Sequence, residues 1–587
     1  MNTDQITVSV LLGLMVILLY SRKLSPPVVF IAATAVLVFA GVLTPAQSLA
    51  GFANQSIAVM LILVVMSQLI WRTGFIQWLF ESVIKPSGRY RRFLCQMMPF
   101  VGVSSAFINN TPVVAMMIPF VTLWGRKNNI HASRLLMPLS WAAILGGMLT
   151  LIGTSTNMIV NSLVIESGGE ALSILDFTPV GLMIFMVGMA YILLLGHKSF
   201  PRRKNPYDRL DESPREYITD LVVVRGSPLA GKTVDQAKLR SLKDLFLIEI
   251  LRKTDVIAPI APDFVLEEGD RLLLAGKTTA VAELADNRQG LALGGNVTIP
   301  AAEKLHVVEV VVSTRSALTG RSVKDTNFRS RFDAAILGVH RHGKRIRGKI
   351  GDIHLQSGDL LLLVAGNDFH DAAEASEDFY VISSLRHIHN IDRRKSFLIT
   401  GSILLCIMLS IVGVVPLFTS LLGILALFLA FRVISPGELK SLVNLDILAV
   451  AAFALAIGKS VQITGLGDMI ANMAVNSFSP LGTVGVLAAV YLTTNILAEF
   501  VTTTAAATIV FPFAAASASV LGVDPTPFYL AVAYGAAANF ITPVGYQTNL
   551  MIYGPGGYTA TDFLRAGFPM KVLCAAAAIT GLALLYT

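Results

Sequence analysis

The sequence predicts a polytopic α-helical membrane protein with two inverted-topology repeats, each containing a re-entrant hairpin and a broken helix, and a cytoplasmic α/β module between them. Composition, charge distribution and the order of apolar runs lead to this prediction. The 587-residue chain is 54% hydrophobic and 14% charged, whereas soluble proteins carry about 25% charged residues. So few charges cannot cover a water-facing surface of this size, which excludes a large soluble enzyme and a disordered chain.

The charged residues are concentrated in one third of the chain. Residues 198–395 contain 58 of the 84 Asp, Glu, Lys and Arg residues. This distribution divides the chain into a first membrane repeat (1–196), a linker with a first soluble domain (197–298), a second soluble domain (299–390) and a second membrane repeat (391–587). The net charge of +8 fits the excess of Lys and Arg on the cytoplasmic side of membrane proteins and does not indicate a nucleic-acid partner.

The two membrane repeats show the same order of apolar segments. Runs of about 17–25 apolar residues can cross a bilayer as helices. The first repeat has such runs at 6–21, 27–43, 54–71 and 177–196, with longer apolar segments at 93–123 and 135–165. The second repeat has runs at 397–413, 416–432, 445–461 and 567–586, with longer segments at 482–520 and 527–553. Amphipathic stretches at 73–84 and 462–476 precede the two segments that we interpret as hairpins.

The basic residues of the first repeat predict its orientation. With the N-terminus outside, all ten Lys and Arg residues face the cytoplasm only if segment 93–123 enters and leaves the membrane on the same face. We therefore interpret this segment as a re-entrant hairpin. Basic residues flank the soluble module, which places 197–396 in the cytoplasm and the C-terminus outside. The second repeat then begins inside whereas the first begins outside, and such inverted repeats are common in secondary transporters.

Four polar breaks interrupt the long apolar segments, two in each repeat. The hairpin tips contain Asn109-Asn110-Thr111 and Thr502-Thr503-Thr504, and the broken helices contain the stretches 153–157 and 542–549. A helix broken at membrane depth exposes free N–H groups at one half-helix end and free carbonyls at the other, which suit an anion and Na+ respectively. One break alone would equally fit helix packing through small residues. Four breaks at matching positions favour a central anion pocket flanked by two Na+ sites.

The ionisable residues near these breaks limit how an anion can bind. None of the four breaks contains Lys or Arg, so anion binding would rest on backbone dipoles, Asn and Thr side chains and bound Na+. Glu499 precedes the second tip inside an apolar run. An intramembrane carboxylate is a candidate functional group, but a structural cap for the hairpin remains an equal alternative. Gln547, in the fourth break, is a further candidate.

The breaks resemble those of the divalent anion:sodium symporter family, within the wider ion-transporter superfamily. That family has Ser-Asn-Thr motifs at two hairpin tips and Gly-Thr and Pro-Asn turns in two broken helices. Here the first tip is Asn109-Asn110-Thr111 and its turn runs from Gly153 to Asn157. The second tip follows Glu499, as in the family, but has Thr503 where the family has Asn. This departure puts the second sodium site and the substrate in question.

The resemblance covers both membrane repeats and implies an elevator-type homodimer, in which each protomer has a scaffold and a moving transport domain. It implies a first Na+ site formed by Asn110, Gly153, Thr154 and Asn157. It implies a second Na+ site formed by Thr503, Thr542, Pro543 and Asn549. It implies an anion site lined by Asn109, Asn110, Thr111, Thr502, Thr503 and Thr504.

The soluble module contains an internal repeat. Ser227-Pro228-Leu229-Ala230-Gly231-Lys232 matches a segment 89 residues later, and the Gly-Asp turn at 269–270 matches that at 358–359. These features resemble two tandem C-terminal domains of potassium-conductance regulators (RCK or TrkA C-terminal domains), which implies pairing and a nucleotide or other small ligand. No Gly-x-Gly-x-x-Gly fingerprint supports a dinucleotide site. The basic cluster His340 to Lys349 fits either a ligand or lipid-headgroup patch or a solvated hairpin.

We therefore predict a sodium-coupled symporter of a small divalent anion in a bacterial inner membrane, surrounded by lipids and with regulatory cytoplasmic domains. Symporters with such an insert resemble the sulfate-permease-like branch of the family. We therefore predict sulfate as the substrate, with a C4-dicarboxylate as the alternative. A cation/proton antiporter would need buried carboxylates or histidines, for which Glu499 is the strongest candidate. The soluble module alone suggests an RCK-regulated channel. No nucleophile–base pair or metal cluster supports an enzyme.

Overall fold

The structure is a computed structural model that describes the chain except residues 22–23, 85–88, 197–198, 203–217, 240–244, 253–254, 258–259, 261–262, 277–289, 294–306, 314–315, 342–343, 347–349, 367–368, 375, 377, 382–392, 444, 479–480, 544 and 587. Several basic residues on which the sequence argument relies lie outside the described residues. They are Arg22, Lys23, Lys85, Lys198, Arg203, Lys204, Arg347 and Lys349.

The first membrane repeat is entirely helical in its described part. Its helices are α1 (Thr3–Ser21), α2 (Pro26–Phe39), α3 (Pro45–Leu49), α4 (Gln55–Arg72), α5 (Phe75–Val83), α6 (Tyr90–Phe107), α7 (Asn110–Lys127), α8 (Leu136–Gly147), α9 (Ser155–Glu166) and α10 (Thr178–Tyr191). We call α6 and α7 the first hairpin, and α8 and α9 the first broken helix. The helix–break–helix over 90–127 corresponds to the hairpin that the basic residues predict at 93–123.

The second membrane repeat has the same order of helices. The short helices α11 (Phe328–Phe332) and α12 (Phe369–Glu374) of the soluble module precede it. The repeat contains α13 (Arg393–Ile411), α14 (Leu417–Ala430), α15 (Pro436–Leu442), α16 (Leu445–Ile463), α17 (Leu466–Phe478), α18 (Gly482–Phe500), α19 (Thr503–Leu521), α20 (Thr526–Ala537), α21 (Gln547–Tyr553) and α22 (Ala560–Tyr586). We call α18 and α19 the second hairpin, and α20 and α21 the second broken helix.

Length and apolar composition mark seven helices of the described chain as long enough to cross a membrane. A bent pair formed by Pro45–Ala53 and Gln55–Ile70, with an angle of 42°, would be an eighth span. The seven are Thr3–Ser21, Thr178–Gly196, Arg394–Ile411, Leu445–Ile463, Gly482–Phe500, Thr503–Leu521 and Ala560–Tyr586. The predicted polytopic helical membrane protein is therefore confirmed, and α18 and α19, although long enough to span, are the two arms of the second hairpin.

Each hairpin packs its first arm against the first half of the broken helix in the same repeat. Helix α6 packs along α8, and α18 packs along α20. The α6–α8 contact depends on glycine, because a Cβ atom on Gly146 would collide with the backbone of Gly102. All twelve residues of α8 and the eleven from Pro527 to Ala537 in α20 are buried. The broken helices thus form the interior of the membrane region, and their breaks lie inside the protein.

The soluble module contains two antiparallel sheets of identical topology. Its strands are β1 (Ile218–Val223), β2 (Leu245–Arg252), β3 (Asp255–Ile257), β4 (Arg271–Gly276), β5 (Leu291–Leu293), β6 (Val307–Val312), β7 (Ala334–Arg341), β8 (Lys344–Arg345), β9 (Leu360–Ala365) and β10 (Phe379–Val381). The strand orders are β3-β2-β4-β1-β5 and β8-β7-β9-β6-β10. Each strand of the first sheet therefore has a counterpart at the same place in the second, as the 89-residue repeat predicts.

The same buried ion pair supports both sheets. Arg252 donates two hydrogen bonds to Asp270, at 2.8 and 2.7 Å, and Arg341 donates two to Asp359, at 2.7 and 2.8 Å. Both carboxylates are 1% exposed, and bidentate geometry makes such pairs strong. Arg341, which the sequence places in the basic cluster, is thus a structural residue of the fold. His340 of that cluster is also buried, at 4% exposure, so neither residue supports the predicted ligand patch.

The second sheet lies directly against the second broken helix. Leu360 and Val311 of this sheet belong to the same buried apolar cluster as residues of the membrane helices. A Cβ atom on Gly554, just after α21, would lie 2.9 Å from the Cβ of Leu360. The soluble module therefore packs against the helix that follows the fourth polar break.

Candidate functional site

The four polar breaks meet at one place inside the membrane region. Asn110 Nδ2 lies 2.6 Å from the hydroxyl of Tyr546, which connects the first tip to the second broken helix. Thr111 donates to Gln547 at 3.2 Å between the same two elements. Thr156 of the first broken helix donates to Thr503 of the second tip at 2.9 Å. Each hairpin tip thus contacts the broken helix of the other repeat.

A new helix begins at each hairpin tip, and the side chain of a polar residue caps it. Asn109 precedes α7, and its side chain accepts from the N–H of Thr111 at 3.3 Å. Thr502 precedes α19, and its side chain accepts from the N–H of Ala505 at 3.2 Å. Asn and Thr are favoured N-cap residues because they satisfy such free N–H groups. The sequence assigns both residues to the anion site, whereas their side chains cap helices in the structure.

Asn157 and Asn549 hold the two broken helices in equivalent ways. Asn157 Nδ2 donates to the carbonyls ten and seven residues earlier, of Gly147 at 3.3 Å and of Thr150 at 2.9 Å. Asn549 Nδ2 donates to the carbonyls at the same spacings, those of Asn539 at 2.9 Å and Thr542 at 3.4 Å. Both asparagines are 0% exposed. These matching hydrogen bonds show that the breaks are related by the inverted repeat.

The two asparagines differ in their side-chain oxygens. Oδ1 of Asn549 accepts from Ser140 at 2.7 Å. Oδ1 of Asn157 has no hydrogen-bond partner in the described part of the chain. A buried, unpaired acceptor costs about 1–3 kcal/mol. Asn157 is therefore free to offer an oxygen to a ligand, whereas Asn549 is fully occupied in holding the fold.

The N-cap residues of α9 and α21 meet across the centre of the site. Thr154 and Tyr546 occupy equivalent positions and have nearly the same extended backbone, with φ and ψ of −141° and 145° and of −137° and 135°. Their hydroxyl oxygens lie 3.3 Å apart. The two repeats thus contact each other through the residues that restart their broken helices.

The side chain of Asn110 faces a cluster of oxygens and is 1% exposed. One of its amide atoms lies 3.1 Å from the carbonyl oxygen of Ala143 and 3.3 Å from that of Gly153, and the other lies 2.6 Å from the Tyr546 hydroxyl. With the nitrogen toward the carbonyls, the amide donates to both and accepts from Tyr546. With the oxygen toward the carbonyls, three oxygens converge as a Na+ ion requires. Rotation of this amide thus decides whether a donor nitrogen or an acceptor oxygen faces the two carbonyls.

Glu499 caps the break of the second broken helix. Its carboxylate accepts from the N–H groups of Ile541 and Thr542 at 3.2 and 3.1 Å, and from the Thr542 hydroxyl at 2.7 Å. Nζ of Lys571, on α22, lies 3.2 Å from the same carboxylate and also donates to the carbonyl of Asn495 at 3.4 Å. Glu499 therefore stabilises the broken helix, where the sequence suggested a cap for its own hairpin.

The remaining predicted residues lie around the breaks with different contacts. The backbone carbonyl of Thr504 accepts a hydrogen bond from the Thr508 hydroxyl of the same helix at 2.9 Å. Pro543 is buried in the second break. A Cβ atom on Gly153 would lie 2.6 Å from the carbonyl of Gly147, so only glycine fits there. The Thr542 hydroxyl donates to the Glu499 carboxylate at 2.7 Å, and the Thr503 hydroxyl accepts from Thr156 at 2.9 Å.

Three residues at the site have no role in the sequence prediction. Tyr546 could have been suspected because it lies in the fourth break, but the sequence does not show that its hydroxyl contacts the other repeat. Asn539 lies ten residues before Asn549, and its side chain donates to the carbonyl of Gly545 at 3.1 Å. Lys571 lies eight residues after Phe563 in an apolar helix, where a charged residue is a candidate functional group by default.

The arrangement suits a small polar solute better than a chemical reaction. The side chains at the centre are hydroxyls and amides, and the ion pair of Glu499 with Lys571 that borders them is neutral as a pair. Among the described residues, no group of three or more His, Cys, Asp and Glu residues is placed to hold a metal ion. Helix ends at such breaks favour an anion at one end and Na+ at the other, without a basic side chain.

Comparison with known proteins agrees with transport. The model of the citrate transporter family, CitMHS, matches residues 16–535. The uncharacterized transporter sll0640 of Synechocystis sp. is 32% identical over 92% of this chain and 90% of its own. A Chlamydomonas reinhardtii protein named as a candidate sulfur deprivation response regulator is 33% identical over 93% of this chain and 95% of its own. Sodium/sulfate cotransporter 1 of the same alga is 22% identical over 90% of this chain and 84% of its own.

The family match covers most of the chain, including both membrane repeats and the module between them. The relatives match over nearly their full length. Together with the spanning helices and the central polar breaks, these matches identify a multi-pass membrane transporter and exclude an enzyme. The chain belongs to the citrate transporter family.

Proposed function

We propose that this protein is a sodium-coupled symporter of a small divalent anion, with sulfate as the first candidate substrate. The observation that carries the proposal is the meeting of both hairpin tips with both broken helices at one site of amides and hydroxyls. A divalent anion brought into such a site needs compensating charge, because burying an isolated charge is costly. Bound Na+ supplies this charge where basic side chains do not.

Two features support sulfate over a dicarboxylate. Relatives that span most of this chain are named sodium/sulfate cotransporters. Sulfate is compact and accepts hydrogen bonds in all directions, which suits the hydroxyls that Thr111, Thr156 and Thr503 contribute at the breaks. A C4-dicarboxylate needs two donor groups that are several ångströms apart. The family's description as citrate transporters makes citrate a third anion to test.

Transport assays in proteoliposomes test this proposal. We expect uptake of radiolabelled sulfate that rises with an inward Na+ gradient and stops when Na+ is replaced by choline. Uptake of succinate or citrate but not sulfate would overturn the substrate. Uptake that ignores Na+ and follows the pH gradient would overturn sodium coupling. An ionic current through an open pore that does not saturate with anion concentration would instead indicate a channel.

We further propose that the protein works as an elevator-type homodimer with its soluble module in the cytoplasm of a bacterial cell and both termini outside. The division into a packed interior of broken helices and surrounding spans fits a transport domain held by a scaffold. The large exposed side chains on α1, α14 and α22 fit contact with lipid or with a second protomer. Cysteine accessibility on the two sides of oriented vesicles tests the topology.

We propose that the soluble module regulates transport through its contact with the site. Tyr380, on β10, accepts a hydrogen bond from Gln547 Nε2, and Gln547 in turn accepts from Thr111 at the first tip. Ser313 donates to the same tyrosine at 3.3 Å. A short chain of hydrogen bonds thus joins the second sheet to a hairpin tip. A small ligand that moves this sheet, such as a nucleotide on an RCK-like domain, would alter the tip.

Replacing Tyr380 with Phe is expected to change the anion concentration that gives half-maximal uptake by about 3- to 10-fold, because one hydrogen bond of about 0.5–1.5 kcal/mol is lost at Gln547. Thr319→Ala removes an exposed hydroxyl from the same domain and serves as the control. Equal kinetics of wild type, Tyr380→Phe and Thr319→Ala would contradict coupling through this contact.

A further inference from the structure

The second repeat lacks an asparagine at its hairpin tip, and the inverted repeat shows where an equivalent amide lies. The two hairpins correspond at an offset of 393, as Pro119 and Pro512 do, and the two broken helices at 392, as Asn157 and Asn549 do. Asn110 then corresponds to Thr503, and Gly147 corresponds to Asn539. Compared with the first repeat, the second has no amide at this tip position, but it has one, Asn539, in the broken helix.

The first repeat shows that the two positions share one space. A Cβ atom on Gly147 would lie 2.7 and 2.8 Å from the side-chain oxygen and nitrogen of Asn110. A side chain at position 147 is therefore excluded by the amide of Asn110. By the inverted repeat, Asn539 corresponds to a side chain entering this space from the broken helix, opposite a tip residue, Thr503, that is shorter than Asn110.

The two amides also make equivalent contacts. The amide of Asn110 lies 3.3 Å from the carbonyl of Gly153, and that of Asn539 lies 3.1 Å from the carbonyl of Gly545. These two glycines correspond at the offset of 392. Asn539 Nδ2 also donates to the carbonyls of Ala498 and Ala536, at 3.3 and 3.4 Å. Rotation of this amide would bring its oxygen among three carbonyl oxygens.

The oxygen of Asn539 is available for such a role. The residue is 0% exposed, and its Oδ1 has no hydrogen-bond partner in the described part of the chain. Asn495 is also buried with an unpaired oxygen, but it corresponds to Gly102, against which Phe185 packs in the first repeat. Asn539 therefore differs from Asn495 because an amide stands at its equivalent place in the other repeat.

We propose that Asn539 supplies the amide ligand for Na+ in the second repeat, in the place that the family pattern assigns to the residue at position 503. This inference rests on the proposed sodium coupling. The exchange moves the ligand from the hairpin tip to the broken helix and keeps its position relative to the Gly545 carbonyl. The second Na+ site is therefore complete although Thr503 replaces Asn.

A reciprocal exchange tests the inference. Asn539→Gly removes the amide and is expected to raise the Na+ concentration for half-maximal uptake by at least about tenfold, since a hydrogen bond or ligand to a charged group contributes about 1.5–3 kcal/mol. Thr503→Asn alone would place a second amide in the space that we assign to the Asn539 side chain, and it is also expected to impair uptake. The double variant Thr503→Asn/Asn539→Gly reproduces the first repeat and is expected to restore the Na+ dependence to within about threefold.

Asn472→Gly is the control, since it makes the same change at an exposed asparagine of α17 whose side chain donates to the carbonyl of Asp468 at 2.8 Å, and it is expected to leave the Na+ dependence unchanged. Na+-induced stabilisation of the purified protein against heat gives a second readout that needs no transport. A wild-type Na+ dependence in Asn539→Gly, or a folded double variant that does not respond to Na+, would overturn the inference. If Asn539→Gly does not fold, the double variant alone decides in the same way. A wild-type protein that ignores Na+ in both assays would instead overturn the proposed sodium coupling.

Discussion

Replacing Lys571 with Met is expected to lower the free energy of unfolding by about 3–5 kcal/mol, because removing one partner of a buried ion pair leaves the other charge uncompensated. The side chains of Lys571 and Glu499 are 14% and 5% exposed, and their charged atoms lie 3.2 Å apart. Glu499 also holds the N–H groups of Ile541 and Thr542. Loss of Lys571 is therefore expected to weaken the break of the second broken helix as well.

The double variant Glu499→Gln/Lys571→Met is expected to be more stable than Lys571→Met. Glu499 corresponds to Ala106 at the hairpin offset of 393, and Lys571 corresponds to Phe185 at the offset of 386 that relates Asp176-Phe177 to Asp562-Phe563. Neither Ala106 nor Phe185 can form an ion pair. Unfolding in a detergent series measures the free energies. Arg72→Met is the control. Arg72 lies 3.6 Å from Glu438, and their side chains are 39% and 50% exposed, respectively. Exposed ion pairs contribute about 0–1 kcal/mol to stability. A double variant less stable than either single variant would contradict this account.

Replacing Asn110 with Ala is expected to reduce Na+-driven uptake by about 10- to 150-fold at limiting Na+, since the amide contributes about 1.5–3 kcal/mol when it binds a charged species. The variant removes contacts with Tyr546, Ser105 and the carbonyls of Gly153 and Ala143. The loss therefore affects both repeats. When uptake is measured at varied Na+ concentrations, the Na+ concentration for half-maximal uptake should rise more than the maximal rate falls.

Asn472→Ala provides the control for this substitution. Asn472 is an exposed asparagine on α17 whose side chain donates within its own helix, to the carbonyl of Asp468 at 2.8 Å. We expect it to behave as the wild type. Equal Na+ dependence in Asn110→Ala and Asn472→Ala would refute the placement of a Na+ site at the first hairpin tip.

Much of the membrane architecture could be predicted because each step rests on a local physical requirement. Apolar runs must cross the bilayer, and basic residues favour the cytoplasm. The hairpin at 93–123 follows from Arg126, Lys127 and Arg134, which would lie on the wrong side if that segment crossed. The observed break at Ile108–Asn109 lies within the predicted tip. The 89-residue repeat of the soluble module likewise predicts two sheets of one topology.

The side-chain contacts of the site could not be predicted in the same way. Asn109, Thr502 and Asn549 belong to the right elements, but the structure uses them as helix caps and braces. Tyr546 and Lys571 reach the site from elements that are distant along the chain. Their contribution depends on which faces of packed helices meet, and single-sequence patterns do not specify that for fully buried helices such as α8 and α20, where nearly every position is apolar.

The sequence by itself determined the membrane class, the inverted repeat and the four places where helices break, because bilayer thickness and the cost of unpaired backbone groups act on local segments. Only the tertiary structure decided which side chains of the four breaks meet. Asn539 replaces the missing tip asparagine because a side chain on either element fills the same space once the hairpin and broken helix pack together. The soluble module touches Gln547 for a similar reason, since Gly554 permits close approach of the sheet. Both results depend on steric fit between segments that are remote in sequence.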